Sequence, residues 1–396
     1  MVGVVLLMLL GLEVCYRAQA ATRGALRSTR TAAIKAPYAD SAWFSSYVAE
    51  YERTFLLHWK PYVYFRRPAF TGSFIRVDSL GHRRTIPGPR DATDTARVFF
   101  FGGSTMWGSY LRDSATIASI TAQRLDKGAS AGMTFAVTNY GESGYVFTQG
   151  LLELEMQLRT GNVPDVAVFY DGINDVAAAV QMGEAGLPQN EFNRSREFEF
   201  GRAIYGTETG VGSDWRAARA IASAIVQRFQ FVQRLAGSIR SRALPALPPH
   251  LARDIVNVYA TNVDVVEALS RVYGFKALYV WQPALQTTSK PLTAFEDLMI
   301  RENQDSEFQR RLRIVHRQVA PMLDSTIAKR VGTRFINESS LFTGDTISVF
   351  SDNIGHNTEK AIPAIVDGFY PRLIALVDSA RVAARHARAS ASHRGL

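Results

Sequence analysis

A serine, an asparagine and a histidine each follow an apolar segment of this chain, and together they could carry out nucleophilic chemistry. Residues 97–105 read RVFFFGGST, so Ser104 comes directly after a buried strand and two glycines that allow a sharp turn. Asn174 follows the apolar run 166–170, and His356 follows a shorter apolar segment. A histidine can accept the proton of an attacking serine hydroxyl, and an asparagine amide can stabilise negative charge on oxygen. These residue types predict an acyl-transfer site.

The segments around these residues alternate between strands and helices. Strands are predicted over 98–101, 134–138 and 166–170, and helices at about 117–125 and 361–384. Such alternation predicts a mainly parallel sheet with helices on both faces. The carboxyl ends of parallel strands share one edge, where open α/β sheets bind ligands. We therefore expect a three-layer α/β/α fold that brings the three side chains together.

The motifs resemble those of a known family. The loop after the second strand reads YGESG at 140–144, and the loop after the third reads GIND at 172–175. With the serine turn before them and His356 after them, these segments resemble, in order and spacing, the blocks of the SGNH hydrolase superfamily, also called GDSL-type esterases and lipases. The resemblance covers about 85–384 and implies the flavodoxin-like α/β/α fold of that superfamily.

The resemblance also implies a role for each matching residue. Ser104 would be the nucleophile and His356 the general base. An oxyanion hole would be formed by the backbone N–H of Ser104, the backbone N–H of Gly144 and the side-chain amide of Asn174, with Gly141 as the alternative register.

Two positions depart from the family pattern. The family has an acid before the serine, whereas this chain has Gly103, so the hydrogen bonds that the acid makes to neighbouring loops must come from elsewhere. The third triad member usually lies three residues before the histidine, which is Asn353 here, with Asp352 four residues before. We expect Asp352 to orient His356, with Gly355 absorbing the bend. Asn353 or a backbone carbonyl is the alternative.

The 396 residues, 47% of them hydrophobic, are enough for one elaborated domain with a large core. The sequence predicts an insertion at about 181–250, after the GIND strand. This insertion is expected to be either a lid over the site or a decoration packed on the sheet. The expected organisation is an apolar signal or anchor segment at 1–20, a basic linker at 21–37, an N-terminal cap region at 38–90, a hydrolase domain at 91–384 with an insertion at about 181–250, and a disordered tail at 385–396.

The N-terminal apolar run at 2–12 is shorter than the roughly 20 residues of a full membrane span. It is compatible with a signal-peptide core, a short or truncated anchor, or a buried helix, and we expect the true start to lie upstream. Membrane-anchored members of the superfamily look similar, so we expect a bacterial protein that is anchored or exported, with its catalytic domain outside the cytoplasm.

Composition narrows the functional classes. The net charge of +9 and the pI of about 9.7 suit weak contact with an anionic lipid or polymer. No nucleic-acid-binding module accompanies this charge, so no nucleic-acid partner is expected. The histidines lack metal-ligand spacing, GGST lacks the lysine of a phosphate loop, and the single Cys15 excludes an intrachain disulfide. We expect no metal and no cofactor.

We therefore expect a serine esterase that hydrolyses an oxygen ester through an acyl-enzyme on Ser104. The substrate would be a small molecule or glycan, as a carbohydrate O-acyl ester or a lipid or short-chain acyl ester. Gln282, after the predicted strand 276–281, is the expected substrate contact. The alternatives are an O-acyltransferase that acts on a glycan with the same residues, and a non-catalytic binding module that retains the fold.

Overall fold

The computed structural model describes residues 36–38, 41–88, 95–128, 134–191 and 244–394, together with positions 11 and 194. The chain divides into two units, one of residues 1–36 and 190–245 and the other of 37–189 and 246–396. Nearly all described residues belong to the second unit. The predicted segment at 1–20, most of the predicted linker and most of the predicted insertion lie outside the described residues.

The elements of the second unit alternate as the sequence predicts. The strands are β1 (His58–Lys60), β2 (Tyr64–Arg66), β3 (Phe70–Thr71), β4 (Arg76–Val77), β5 (Thr95–Gly102), β6 (Thr134–Asn139), β7 (Val166–Asp171), β8 (Lys276–Trp281) and β9 (Phe335–Asn337). The helices are α1 (Phe44–Arg53), α2 (Ser104–Trp107), α3 (Ile117–Gly128), α4 (Phe147–Arg159), α5 (Ile173–Met182), α6 (Leu251–Tyr273), α7 (Ala294–Glu302), α8 (Glu307–Val331) and α9 (Ile362–Arg394). Among the described residues, no helix is both long and apolar enough to cross a membrane.

The central sheet has the strand order β6-β5-β7-β8-β9, and all its strands are parallel. Val98 on β5 pairs with Val137 on one side and with Val166 on the other. The chain goes from β5 outward to β6 and then back to β7, so the connections reverse direction between β5 and β7. In open α/β sheets a crevice for ligands forms at this reversal.

Side chains of β5 alternate between the two faces of the sheet, as the period of a strand requires. Phe99 and Phe101 pack in a core with helices α4, α5, α6 and α8. Val98 and Phe100 pack in a second core with α3 and α9. Because both faces are covered, the strand reads as a continuous apolar run. The predicted three-layer α/β/α fold with a parallel sheet is therefore confirmed.

Two parts of the chain outside the sheet affect the site or differ from expectation. The segment 41–88 contains α1 and the antiparallel pairs β1–β2 and β3–β4, and Arg83 forms a bridge to Asn139 at the end of β6. Helix α9 continues to Arg394, whereas the sequence predicts a disordered tail from residue 385. The physical reason is the Ala- and Arg-rich sequence at 381–390, because both residues are strong helix formers.

Candidate active site

Ser104 lies at the carboxyl end of β5, where the chain turns into the single-turn helix α2. Gly103 is extended, with φ −84° and ψ −155°, and its carbonyl accepts the N–H of Trp107 at 2.9 Å. The Ser104 carbonyl accepts the N–H of Gly108 at 3.0 Å. The serine therefore begins a closed turn at the sheet edge, and its side chain stays 8% exposed.

A hydrogen-bonded chain joins Ser104, His356 and Asp352. His356 Nε2 lies 2.6 Å from Ser104 Oγ, and His356 Nδ1 lies 2.5 Å from Asp352 Oδ2. All three residues are less than 10% exposed. The serine hydroxyl thus has a base within hydrogen-bond reach, and the base has a carboxylate at its other ring nitrogen.

The loop that carries His356 is organised by the carboxylate of Asp352. Its Oδ1 accepts the N–H groups of Ile354, Gly355 and His356 at 3.0, 3.0 and 3.1 Å. Burial raises the pKa of Asp352, but the interaction with His356 and these N–H groups outweighs burial and leaves that pKa below its usual value. Gly355 adopts φ +107°, which supplies the bend expected there.

Asn353 takes a different position from the one that the family spacing suggests. Its carbonyl accepts a hydrogen bond from Gln286 Nε2 at 2.7 Å. The segment ahead of the histidine is not a strand of the central sheet: Phe350 forms an isolated bridge with Asn357. His356 therefore reaches the sheet edge from a loop between β9 and α9, and not from a strand end.

The amide of Asn174 is fixed from two directions. Its Nδ2 donates to the carbonyl of Tyr145 at 2.9 Å, and its Oδ1 accepts from Gln189 Nε2 at 3.4 Å. Asn174 is buried in the first turn of α5, directly after β7. Because an amide nitrogen carries two hydrogens, one remains after the bond to Tyr145.

The two candidate glycines of the β6 loop are used differently. The N–H of Gly141 donates to Asn139 Oδ1 at 3.0 Å, so it is occupied within the loop. Gly144 has φ +76°, and in the described part of the chain its N–H donates no hydrogen bond. Gly144 is therefore the loop glycine whose N–H can serve an oxyanion.

Gly103 stands where the family has an acid, and the structure gives a steric reason for this departure. A Cβ built on Gly103 would lie 2.0 Å from Asn174 Nδ2 and 3.2 Å from the carbonyl oxygen of Tyr145. Any side chain at this position would displace the amide or the loop that accepts from it. A glycine at 103 thus permits the close approach of Asn174.

Arginines from the segment before β5 make hydrogen bonds to the loops beside the serine turn. Arg67 Nε donates to Glu142 Oε1 and the Arg67 backbone N–H donates to Glu142 Oε2, both at 3.1 Å. The Arg67 guanidinium also donates to Ser143 Oγ at 2.5 Å. Both side chains of the Arg67–Glu142 pair are completely buried. The pair therefore fixes the two residues that precede Gly144.

Two neighbouring arginines extend this network. Arg66 pairs with Glu153 at 2.7 Å and donates to the carbonyl of Tyr140 at 2.9 Å. Arg83 pairs with Asp113 and donates to the carbonyl of Gly108 at 2.6 Å.

Trp107, the last residue of α2, lies between the guanidinium groups of Arg67 and Arg83, which are 3.7 and 4.2 Å from its rings. We call Arg66, Arg67 and Arg83 the arginine clamp. No motif in the sequence predicts the clamp, and only the basic character of this segment points to it.

Buried polar groups at the ends of β7, β8 and β9 lack such partners. Within the described residues, both carboxylate oxygens of Asp171 and of Glu338 have no hydrogen-bond partner, and the same holds for Gln282 Nε2. Burial raises the pKa of Asp171, and that of Glu338, well above the usual value of a carboxyl group.

Gln282, the predicted substrate contact, is buried, and its backbone N–H donates to the carbonyl of Asp171 at 2.9 Å. Its side chain forms no hydrogen bond with the triad in the described residues. The described residues also contain no group of three or more His, Cys, Asp or Glu side chains that could hold a metal ion.

No protein-family model matches the chain, and no curated protein matches it. Several solved structures are similar over about 70% of it. A member of the lipolytic GDSL family from Veillonella parvula is 13% identical, covers 70% of this chain and 97% of its own, and has a TM-score of 0.35. A psychrotrophic esterase from a Pseudoalteromonas species is 10% identical, with coverages of 71% and 98% and a TM-score of 0.33.

A catalytic mutant of an acetylxylan esterase from Geobacillus stearothermophilus is 10% identical, with coverages of 71% and 94% and a TM-score of 0.35. At such identities and scores, the chemistry of the site has to be argued from its own geometry. The proteins that the chain is similar to include a member of the lipolytic GDSL family.

Proposed function

We propose that this protein is a serine esterase that hydrolyses an oxygen ester through an acyl-enzyme on Ser104. The hydrogen-bonded chain from Ser104 through His356 to Asp352 is the observation that carries the proposal. A non-catalytic binding module has no need of these hydrogen bonds. The three residues that form them come from the end of β5 and from a loop more than 240 residues later.

The geometry supports the following first half-reaction. Ser104 Oγ attacks the acyl carbon while His356 Nε2 takes the hydroxyl proton. Asp352 keeps a hydrogen on Nδ1 and stabilises the imidazolium that forms. The carbonyl oxygen becomes negatively charged and accepts from Ser104 N–H, Gly144 N–H and Asn174 Nδ2. When the intermediate collapses, the bond to the alcohol oxygen breaks and His356 returns the proton to that oxygen.

The second half-reaction uses the same groups. Water attacks the acyl-enzyme, His356 takes a proton from it, and the same three donors bind the oxyanion again. Cleavage of the bond to Ser104 Oγ releases the acid, and His356 returns the proton to the serine. An O-acyltransferase would differ only in that a sugar hydroxyl replaces the water.

We propose that the substrate is a carbohydrate O-acyl ester or a lipid or short-chain acyl ester. The test compares the wild-type full chain with Ser104→Ala on chromogenic acetyl and longer acyl esters. A serine-directed phosphonate with mass-spectrometric mapping reports whether Ser104 is reactive. Ser325→Ala, on the exposed side of α8, is the matched control.

We expect turnover that Ser104→Ala abolishes and Ser325→Ala retains, with the adduct on Ser104. Labelling of Ser104 without turnover of any ester, unless a glycan acceptor is added, would identify an acyltransferase. Absence of both turnover and labelling would contradict the proposal and favour the binding module.

The carboxylate is tested separately. Asp352→Asn keeps the shape of the side chain but removes the charge that holds the histidine tautomer, so kcat should fall by about 10⁴-fold. Asp378→Asn, at an exposed position of α9, should leave kcat unchanged. A loss of less than tenfold in Asp352→Asn would show that another group orients His356.

The proposal includes a location outside the cytoplasm, anchored or exported, with membrane association through the N-terminus. The apolar run at 2–12 supports it. Protease accessibility of the native protein in intact and permeabilised cells tests it, because an extracytoplasmic domain is cleaved in cells whose inner membrane is intact.

A further inference from the structure

A cavity of about 380 Å³ lies beside the catalytic loop and takes no part in the mechanism above. Asn353 forms part of its wall and directly follows Asp352 in the chain, so the cavity adjoins the loop that carries the triad carboxylate. The volume lies within the range of about 300–1,000 Å³ that is typical of ligand pockets. The lining consists of Leu285, Gln286, Thr288, Leu292, Met299, Ile300, Asn303, Gln304, Gln309, Arg313, Arg317 and Asn353.

The charge of the cavity is positive and comes from α8. Arg313 and Arg317 are four residues apart, so they lie on the same face of the helix. Within the described residues neither arginine forms an ion pair. Their neighbours Arg310 and Arg311 differ, because both pair with Glu307. The lining contains no acidic residue, so the two guanidinium charges are not neutralised from within the cavity.

The remaining lining is suited to a sugar. Five amide side chains contribute donors and acceptors, and four aliphatic or thioether side chains provide apolar surface. Gln286 is the most buried of the amides: it is 6% exposed, its Nε2 donates to the carbonyl of Asn353, and its Oε1 has no partner in the described residues. An apolar lining without charges would instead have indicated an acyl chain.

We propose that this cavity binds the carboxylate-bearing sugar of an acidic glycan whose ester is cleaved at Ser104. A guanidinium group recognises a carboxylate through paired N–H donors, and two of them on one face favour an anionic ligand over a neutral one. The inference rests on the proposed function and adds a substrate class to it: an O-acylated polysaccharide that contains uronic acid. The ester lies at the triad while the neighbouring acidic residue of the same chain occupies the cavity.

The test separates binding from turnover. Calorimetry measures the binding of an oligouronate and of a neutral oligosaccharide of the same length to the full chain carrying Ser104→Ala. The same titrations are made after adding Arg313→Gln and Arg317→Gln, or after adding Arg310→Gln and Arg311→Gln as the matched control on the same helix. The wild type is assayed in parallel on the O-acetylated forms of both oligosaccharides.

We expect the oligouronate to bind at least tenfold more tightly than the neutral oligosaccharide. Arg313→Gln with Arg317→Gln should remove this preference, whereas Arg310→Gln with Arg311→Gln should retain it. Equal binding of both oligosaccharides would overturn the inference, even where the wild type hydrolyses simple esters and the proposed function stands. Preferential binding without hydrolysis of any ester would support the cavity and contradict the esterase. Tighter binding of a sugar phosphate than of the oligouronate would overturn the assignment of a carboxylate.

Discussion

Buried carboxyl groups have arginine partners on one side of the sheet's carboxyl edge and lack them on the other. On the side of β5 and β6, Glu142 and Glu153 each face a buried arginine at 3.1 and 2.7 Å. On the side of β7 to β9, Asp171 and Glu338 are equally buried, but within the described residues no hydrogen bond or ion pair reaches their carboxyl oxygens. The first pair of carboxylates is compensated, and the second pair carries raised pKa values.

The carboxyl groups are paired on the side of the edge where the proposed reaction needs groups in fixed positions. The arginine clamp fixes α2 and the loop before Gly144, which carry the proposed nucleophile and two of the three proposed oxyanion donors. Such donors are effective when they are in place before charge develops, because no reorganisation is then needed during the reaction. The β7 to β9 side needs no fixed charges, and its carboxyl groups can remain neutral.

The largest effect is expected from removing a clamp charge. Arg67→Met leaves Glu142 buried without its cation, so the free energy of unfolding should fall by about 3–5 kcal/mol. Arg330→Met removes a pair with Asp264 in which both side chains are largely exposed, and should cost less than about 1 kcal/mol. Urea denaturation measures both.

A double variant separates stability from catalysis. In Arg67→Met with Glu142→Leu no charge is left unpaired, so much of the stability should return. The loop before Gly144 would still lack its anchor, so kcat should remain low. Recovery of both quantities would show that the clamp acts on stability alone, and an unchanged unfolding energy in Arg67→Met would contradict the account of the pair.

The next effect concerns the oxyanion hole. Gly103→Ala places a methyl group against Asn174 Nδ2 and should displace that donor. The loss of one oxyanion donor costs about 2.7–4 kcal/mol, so kcat should fall by about 10²–10³-fold. Gly103 has no positive φ, so the alanine adds no backbone strain of its own.

Asn174→Ala provides the comparison for this change. If Gly103→Ala acts only through the amide, adding it to Asn174→Ala should cause little further loss of kcat. Independent, additive losses in the double variant would show that the methyl group disturbs the serine turn itself.

The sequence predicted those parts of the fold and site that local patterns encode. The apolar runs of β5 and β7 and the glycines after them placed Ser104 and Asn174 correctly at the sheet edge. The position of Asp352 was chosen from a departure in spacing, and the structure places its carboxylate against His356 Nδ1. The predicted disordered tail from residue 385 is wrong because its alanines and arginines are strong helix formers, and α9 continues to Arg394.

The clamp had no such local pattern. Arg67 is 75 residues away from Glu142, and only the folded chain brings the two together. The same holds for Gln189, which lies outside the family motifs and contacts Asn174. Tertiary contacts between buried charges leave no periodic signal in one sequence, so local patterns could not predict the network around the site.

A smaller effect tests the unpaired side through pH. The pKa of Glu338 is raised in the folded state, so above about pH 4.5 the unfolded chain releases a proton that the folded chain keeps. The contribution of Glu338 to stability should therefore fall as pH rises from 5 to 8, by up to about 1.4 kcal/mol per pH unit, until the folded pKa is passed. Glu338→Gln cannot ionise, so this part of the slope should disappear.

Urea denaturation at pH 5, 6, 7 and 8 measures the slope. Asp171 keeps its own raised pKa in the variant, so some decline should remain. The lowered pKa of Asp352 acts with the opposite sign, since its stabilisation is lost only as pH falls below about 4, outside this window. An identical slope in wild type and Glu338→Gln would show that Glu338 is compensated in solution.

The smallest expected effect connects the two sides at Asn174. Gln189 Nε2 donates to Asn174 Oδ1 at 3.4 Å, a long and therefore weak hydrogen bond that orients the amide nitrogen towards Tyr145. Gln189→Ala should lower kcat about fivefold, which corresponds to about 1 kcal/mol, with little change in KM.

Gln189→Glu has nearly the same shape but cannot donate, so it should not restore kcat. Gln318→Ala, on the exposed face of α8, should leave both constants unchanged. Full activity in Gln189→Glu would show that the side chain acts by filling space beside Gly144, and the orientation of Asn174 would then depend on Tyr145 alone.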